Sequence, residues 1–233
     1  MEHTPLNIYE EGSVLLINKP LRWTSFDVVR KIRGLVKVRK VGHAGTLDPL
    51  ATGLLIVCTG KFTKRINEFM AEEKEYTGSI TLGAVCPTFD LESEPENFKD
   101  TSEINAEKIT NAALGLTGDL LQVPPIHSAI KKDGKRAYEL ARKGEDLVME
   151  PRRVTIREFE IVRIDMPVVT FRVVCSTGTY IRSLANDLGV ALGCGAHLSG
   201  LCRTRIGQFT LEQSLDIKEA EDQIRNNLSA QKG

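Results

Sequence analysis

The stretches Arg153 to Ile164 and Val168 to Cys175 both alternate along the chain, and only Asp165-Met166-Pro167 joins them. A period of two marks a half-buried strand, and a link of three residues is too short for a crossover, so the pair predicts an antiparallel hairpin. Other stretches extend a sheet of this kind. Ser13 to Asn18 and Leu54 to Thr59 read as buried strands, Asp119 to Val123 as another, and Ala196 to Gln208 as strand-like. Glu75 to Leu82 alternates with Tyr76, Gly78, Ile80 and Leu82 on one side. Thr24 or Ser25 can cap a helix to about Val36, with Phe26, Val29, Ile32, Arg33 and Val36 at helical spacing. Further helices are expected over Lys61 to Met70, Ala106 to Leu116, from the Ser176-Thr179 turn to about Leu192, and over Glu212 to Leu228. Residues 86 to 103, acidic and rich in Pro, read as a surface excursion with little structure. Hairpins mixed with helices, without regular βαβ alternation, predict an α+β fold: a largely antiparallel, mixed central sheet flanked by helices, in one domain over residues 1–233.

Five cysteines, an odd number with no CxxC pair, argue against a disulfide framework or a ribbon-type zinc site and for a reducing compartment. Cys194, His197 and Cys202 come nearest to a ligand cluster; without a fourth ligand they read as buried small residues, and no metal is expected. The first nine residues lack a basic region followed by an apolar core, and no run approaches the ~20 apolar residues of a membrane span. A cytoplasmic protein is expected.

The formal charge is zero, from 31 basic and 31 acidic residues, but the charges are segregated. Arg30, Lys31, Arg33, Lys37, Arg39 and Lys40 stand together with no acid among them. Lys131, Lys132, Lys135, Arg136, Arg142 and Lys143 form a second cluster, while the acids gather in residues 90–107 and 212–222. Such segregation can leave one face positive, as phosphate binding needs, or it can describe solvated helix faces. The second cluster lies in residues 124–152, opened by Pro124-Pro125, with a short helix expected near Ala137 to Lys143. This segment reads as an arm grafted between strands.

Asp48 lies within Gly42-His-Ala-Gly-Thr-Leu-Asp-Pro-Leu-Ala-Thr-Gly-Leu-Leu55 and is the one acid between Arg39 and Ile66. Its glycines allow a backbone that a β-carbon would forbid, and Pro49 pushes Asp48 out of the helical region. Two readings stand side by side: an Asp-Pro turn whose carboxylate bonds its own backbone, and an aspartate presented to a substrate. Arg182 falls in the first turn of a predicted helix, where the macrodipole disfavours a cation, so a buried carboxylate partner is expected. Tyr76 points toward the covered face of its strand, as a core aromatic or as part of a site.

The Asp48 stretch closely resembles the G-H-x-G-x-L-D-P-x-A-x-G-x-L signature of the TruB family of tRNA pseudouridine synthases. Lys19-Pro20 resembles the family's first motif, and Tyr76 with Leu82-Gly83 its tyrosine strand. Gln122 to Ala129 followed by Gly134 to Gly144 is similar to its thumb insertion, Cys175 to Arg182 with Asp187-Leu-Gly189 to its third motif, and Ala196 to Gly207 to its last strand. Two places depart from the pattern, Cys86 to Asp90 and Cys202.

The resemblance implies the pseudouridine synthase fold with a thumb-like insertion, and conversion of uridine 55 in the tRNA T-arm to pseudouridine on a flipped-out base. Asp48 is then the catalytic aspartate, Tyr76 stacks on the base, and Arg182 pairs with Asp48. His43 occupies space vacated in the opened loop, Tyr180 and Leu201 line the pocket, and Lys19 supports the site electrostatically. Lys131, Lys132 and Arg136 contact phosphates. No cofactor is implied. The partner is tRNA, with no membrane and no obligatory protein partner, and the enzyme is a monomer without the C-terminal PUA domain of many relatives. The alternative is an RNA-binding or tRNA-chaperone protein in which catalysis is dispensable.

Overall fold

The computed structural model describes residues 7–126, 131–132, 135–136 and 149–230. In chain order the described elements are α1 (Ile8–Glu11), β1 (Val14–Lys19), α2 (Ser25–Val36), β2 (Val41–Ala44), β3 (Ala51–Thr59), a 3-10 segment at Gly60–Arg65, α3 (Ile66–Ala71) and β4 (Lys74–Leu82). There follow α4 (Ala106–Gly115), β5 (Gly118–Gln122), β6 (Lys131–Lys132), β7 (Lys135–Arg136), β8 (Arg152–Asp165), β9 (Val168–Cys175), α5 (Ile181–Ala191), β10 (Ala196–Ile206), β11 (Phe209–Thr210) and α6 (Ile217–Ala230). They fall into two compact units, one of Met1–Tyr76 with Cys202–Gly233 and one of Thr77–Leu201.

In the first unit the strand order is β1-β3-β10-β4, with β2 on β3 and β11 on β10. β3 is buried along nearly its whole length because both faces are covered, which is why it reads as a continuous apolar run. Leu55 and Val57 pack with Val28, Val29, Ile32 and Val36 of α2 and with Ala220 and Ile224 of α6. Leu54, Ile56 and Cys58 pack on the other side with Phe69 and Ile206. Helix α2 starts where expected: the Thr24 hydroxyl accepts from the Asp27 amide, and Asp27 accepts from the Thr24 amide, closing a capping box. Phe26 departs from expectation. It lies about 100° around the helix from the centre of the buried stripe and is 58% exposed. Helix α6 begins at Ile217 rather than Glu212, because the Asp216 carboxylate accepts from the Lys218 and Glu219 amides and caps the chain there.

In the second unit the order is β10-β4-β9-β8-β5. The β8–β9 hairpin forms as its alternation predicts, antiparallel from Ile156 opposite Cys175 to Asp165 opposite Val168. Two bulges interrupt it, and Phe159 meets Phe171 edge to face at 5.9 Å. Gly78 and Gly200 let β4 and β10 approach closely: a Cβ on Gly78 would stand 2.3 Å from the Gly200 carbonyl oxygen. Residues 86–103 were expected to carry little structure, and the first part corrects that expectation. Cys86, Thr88 and Asp90 are buried, Phe89 donates its amide to the Cys86 carbonyl at 2.8 Å, and the Leu198 amide bonds the Phe89 carbonyl at 2.9 Å. Acidic composition misled here because a buried acid and a surface acid look alike in a sequence. The expected helix near 137–143 lies outside the described residues.

Candidate active site

Asp48 sits at the tip of the β2–β3 hairpin. Strand β2, which periodicity did not reveal in four residues, pairs antiparallel with β3 from Val41 opposite Thr59 to Ala44 opposite Ile56. The Ala51 amide donates to the Asp48 carbonyl at 3.0 Å, so Asp48-Pro49-Leu50-Ala51 is a β-turn with proline at its second position. The turn reading of this stretch is therefore correct for the backbone, and it leaves the carboxylate to be placed by its surroundings.

Two buried polar side chains hold the loop leading to that turn. The Ser25 hydroxyl, at the start of α2, accepts from the Leu47 amide at 2.9 Å and donates to the Leu47 carbonyl at 3.2 Å. Arg203, 1% exposed, donates Nε to the Leu54 carbonyl at 2.8 Å, Nη2 to the Gly45 carbonyl at 3.1 Å and Nη1 toward the Thr46 carbonyl at 3.5 Å. Gly53 makes this possible: at φ +102° its missing side chain leaves room for Arg203, whose carbonyl oxygen would stand 2.4 Å from a Cβ. The carbonyls of Leu47, Gly45, Thr46 and Leu54 thus each find a donor.

Lys19 ends β1 opposite Gly53 and is fully buried. Its Nζ donates to the carbonyls of Pro20 at 3.0 Å and Trp23 at 2.6 Å. Burial lowers its pKa to about 8, the Asp48 carboxylate works against that fall, and the Arg203 guanidinium adds to it. Lys19 and Asp48 are therefore close enough to feel each other's charge. His43, half-buried on β2, is also lowered by burial, with a backbone bond to Gly45 opposing and Arg203 contributing, so its neutral form is favoured. Tyr76 is 8% exposed and alternates with buried Ile80 and Leu82 as its strand pattern requires.

The other residues singled out in the sequence belong to the second unit. Arg182, 4% exposed in the first turn of α5, donates Nη1 to the Thr88 carbonyl at 3.2 Å, and its Nε lies 3.7 Å from the Asp90 carboxylate. A buried carboxylate does face this cation. Tyr180, half-buried, donates its amide to the Gln122 side chain at 2.8 Å, and Ser183 donates to the Val123 carbonyl at 2.8 Å, which ties the start of α5 to the end of β5. Leu201 is half-buried on β10. Lys131 and Lys132 pair with Arg136 and Lys135 as a short antiparallel ladder.

Arg203, Ser25, Thr88 and Asp90 were missed as candidates. Only an Arg inside a strand-like run, one of two there, or a Ser at a helix start, hinted at the first two. Among the described residues no group of three or more His, Cys, Asp or Glu is placed to hold a metal ion. His197 Nδ1 instead lies 3.1 Å from the Ala84 carbonyl oxygen. No helix among the described residues is long and apolar enough to cross a membrane.

Comparison with known families decides the affiliation. The model of the TruB family pseudouridylate synthase N-terminal domain matches residues 33–181, and that of the tRNA pseudouridylate synthase B C-terminal domain matches residues 182–231. The chain belongs to the TruB family of pseudouridylate synthases. A tRNA pseudouridine synthase B of Flavobacterium johnsoniae is 52% identical over 224 residues, covering 93% of this chain and 98% of that relative. One of Parabacteroides distasonis is 51% identical over 223 residues, covering 93% and 95%. Among solved structures, a Cbf5-Nop10-Gar1 complex matches with TM-score 0.72 at 31% identity over 92% of this chain. This chain spans about half, 54%, of that structure's chain. The fold is that of a pseudouridine synthase, as the TruB motifs implied.

Proposed function

We propose that this TruB enzyme isomerises uridine to pseudouridine at position 55 in the T-arm of tRNA, with Asp48 as the catalytic aspartate. The observation that carries the proposal is the Asp48 turn, pinned through Leu47, Gly45 and Thr46 and set in the field of buried Lys19. Relatives named tRNA pseudouridine synthase B, about half identical over nearly their full lengths, support the substrate.

Isomerisation breaks the bond from the sugar C1′ to N1, turns the base, and rejoins C1′ to C5. The site must hold a flipped base, present a carboxylate and retain the cleaved uracil. Asp48 supplies the carboxylate. Lys19 favours its ionised form, and Arg182 is assigned to pair with it and orient it. Tyr76 is assigned to stack on the base, with its hydroxyl available for proton transfer. Tyr180 and Leu201 line the pocket, and neutral His43 fills the space the base leaves in the T-loop. Asp90 and Thr88, in the same unit as Arg182, hold its guanidinium. Lys131, Lys132 and Arg136 contact phosphates. The enzyme acts as a cytoplasmic monomer.

The test is release of tritium from tRNA carrying 5-tritiated uridine. The native chain should release it, and Asp48→Asn should release at least about a thousandfold less, the scale lost when a group acting only in the transition state is removed. Native protein that binds a T-arm stem-loop without releasing tritium would instead support the chaperone reading.

A further inference from the structure

Helix α2 turns Val28, Val29, Ile32 and Val36 inward. The stripe Phe26, Arg30, Gly34 and Lys37, at spacings of three and four, faces solvent. Two of these residues stand out on an exposed helix face. Phe26 leaves 58% of its surface in water, although it stands one position after Ser25, whose hydroxyl clamps Leu47. Gly34 occupies a helix interior, where glycine is less stable than alanine. Interior glycines are explained by a left-handed φ or a close neighbour. Gly34 has neither: its φ is not positive, and nothing lies within 4 Å of where its Cβ would stand.

The charge around the stripe indicates what kind of neighbour is missing. From Leu21 to Val41 the only acid is Asp27, and it is engaged by Thr24 and Arg30. Of the cations, Lys31 pairs with Glu221 and Arg33 donates to the Val41 carbonyl. Arg22, Arg30, Lys37, Arg39 and Lys40 are exposed. The turn that leads into α2, four residues before Phe26, adjoins the Asp48 turn: the Arg22 amide donates to the Pro49 carbonyl at 2.8 Å.

We propose that this face of α2 is a track for the substrate RNA leading away from the Asp48 loop. It deepens the RNA assignment above and rests on it. Phe26 stacks on an unpaired base, Arg30, Lys37 and Lys40 meet phosphates, and the RNA backbone passes closest to the helix over Gly34. From Phe26 to Lys37 the track rises about 16 Å along the helix axis.

Gly34→Ala separates this role from a structural one, because the two predict opposite directions. Alanine strengthens the helix, so the melting temperature should rise by about 2–4 °C, while Kd for an unmodified tRNA transcript should rise about threefold or more as the added methyl displaces the RNA. Phe26→Ala should raise Kd by about five- to a hundredfold, the range for losing one base–aromatic stack, with little change in melting temperature. If the native chain binds the transcript and both variants bind it equally well, the track is overturned and the RNA assignment stands. If the native chain does not bind the transcript, the RNA assignment fails and takes the track with it.

Discussion

At the scale of single residues, the molecule is governed by what its buried ions touch. Lys19 has a pKa near 8 because burial outweighs the attraction of Asp48. Its charge is lost as pH rises through that value, so turnover should fall along an alkaline limb centred near pH 8, and Lys19→Met should be slower but lack the limb. Rates of tritium release across pH check this. The sign for stability is opposite. The folded pKa lies below the ordinary 10.5, so between about 8 and 10.5 the unfolded chain binds more protons than the folded one. The contribution of Lys19 to stability therefore grows with pH across that window and is lost as pH falls through about 8. Urea midpoints over the same range, compared with Lys19→Met, measure it. Asp90 carries a different lesson. It was counted among the surface acids, yet it is buried beside Arg182, because chain composition records charge without recording depth.

At the scale of elements, strands β1, β3 and β10 place the Asp48 loop. β3 brings Gly53 against Arg203, and Arg203 reaches back to the loop that leads to Asp48. Gly53→Ala must strain a backbone at φ +102° and push a Cβ into β10, so it should cost about 1–3 kcal/mol for the strained residue alone. A lower urea midpoint with an unchanged slope would show the loss as stability rather than altered compactness. Turnover should fall with it, since the β10 residue displaced is the one holding Gly45 and Thr46. The long hairpin β8–β9 and the capped helix α2 were legible within one residue at most ends, since alternation and capping are local properties. Strand β2 was not, because four residues carry too little periodicity to stand out.

At the scale of the whole chain, a net charge of zero is compatible with the proposed RNA partner, since the basic residues are grouped in sequence. The Lys131, Lys132, Lys135 and Arg136 group lies on the short β6–β7 ladder. Replacing all four by alanine should weaken tRNA binding and flatten the dependence of log K on log salt, by about 0.9 for each duplex phosphate contact removed. An unchanged slope would remove this ladder from the phosphate-contact scheme.

The sequence by itself determined the α+β class, the β8–β9 hairpin, the cap of α2 and the family, because each depends on residue types at short, regular separations. Only the tertiary structure decided which polar groups are buried and what they hold: Arg203 and Ser25 on the loop that presents Asp48, Asp90 beside Arg182, and Phe26 turned outward on a helix whose spacing had suggested the core. The physical reason is common to all four. Burial and partnership join residues tens to more than a hundred positions apart, or depend on which way a helix face turns, and no local period encodes either.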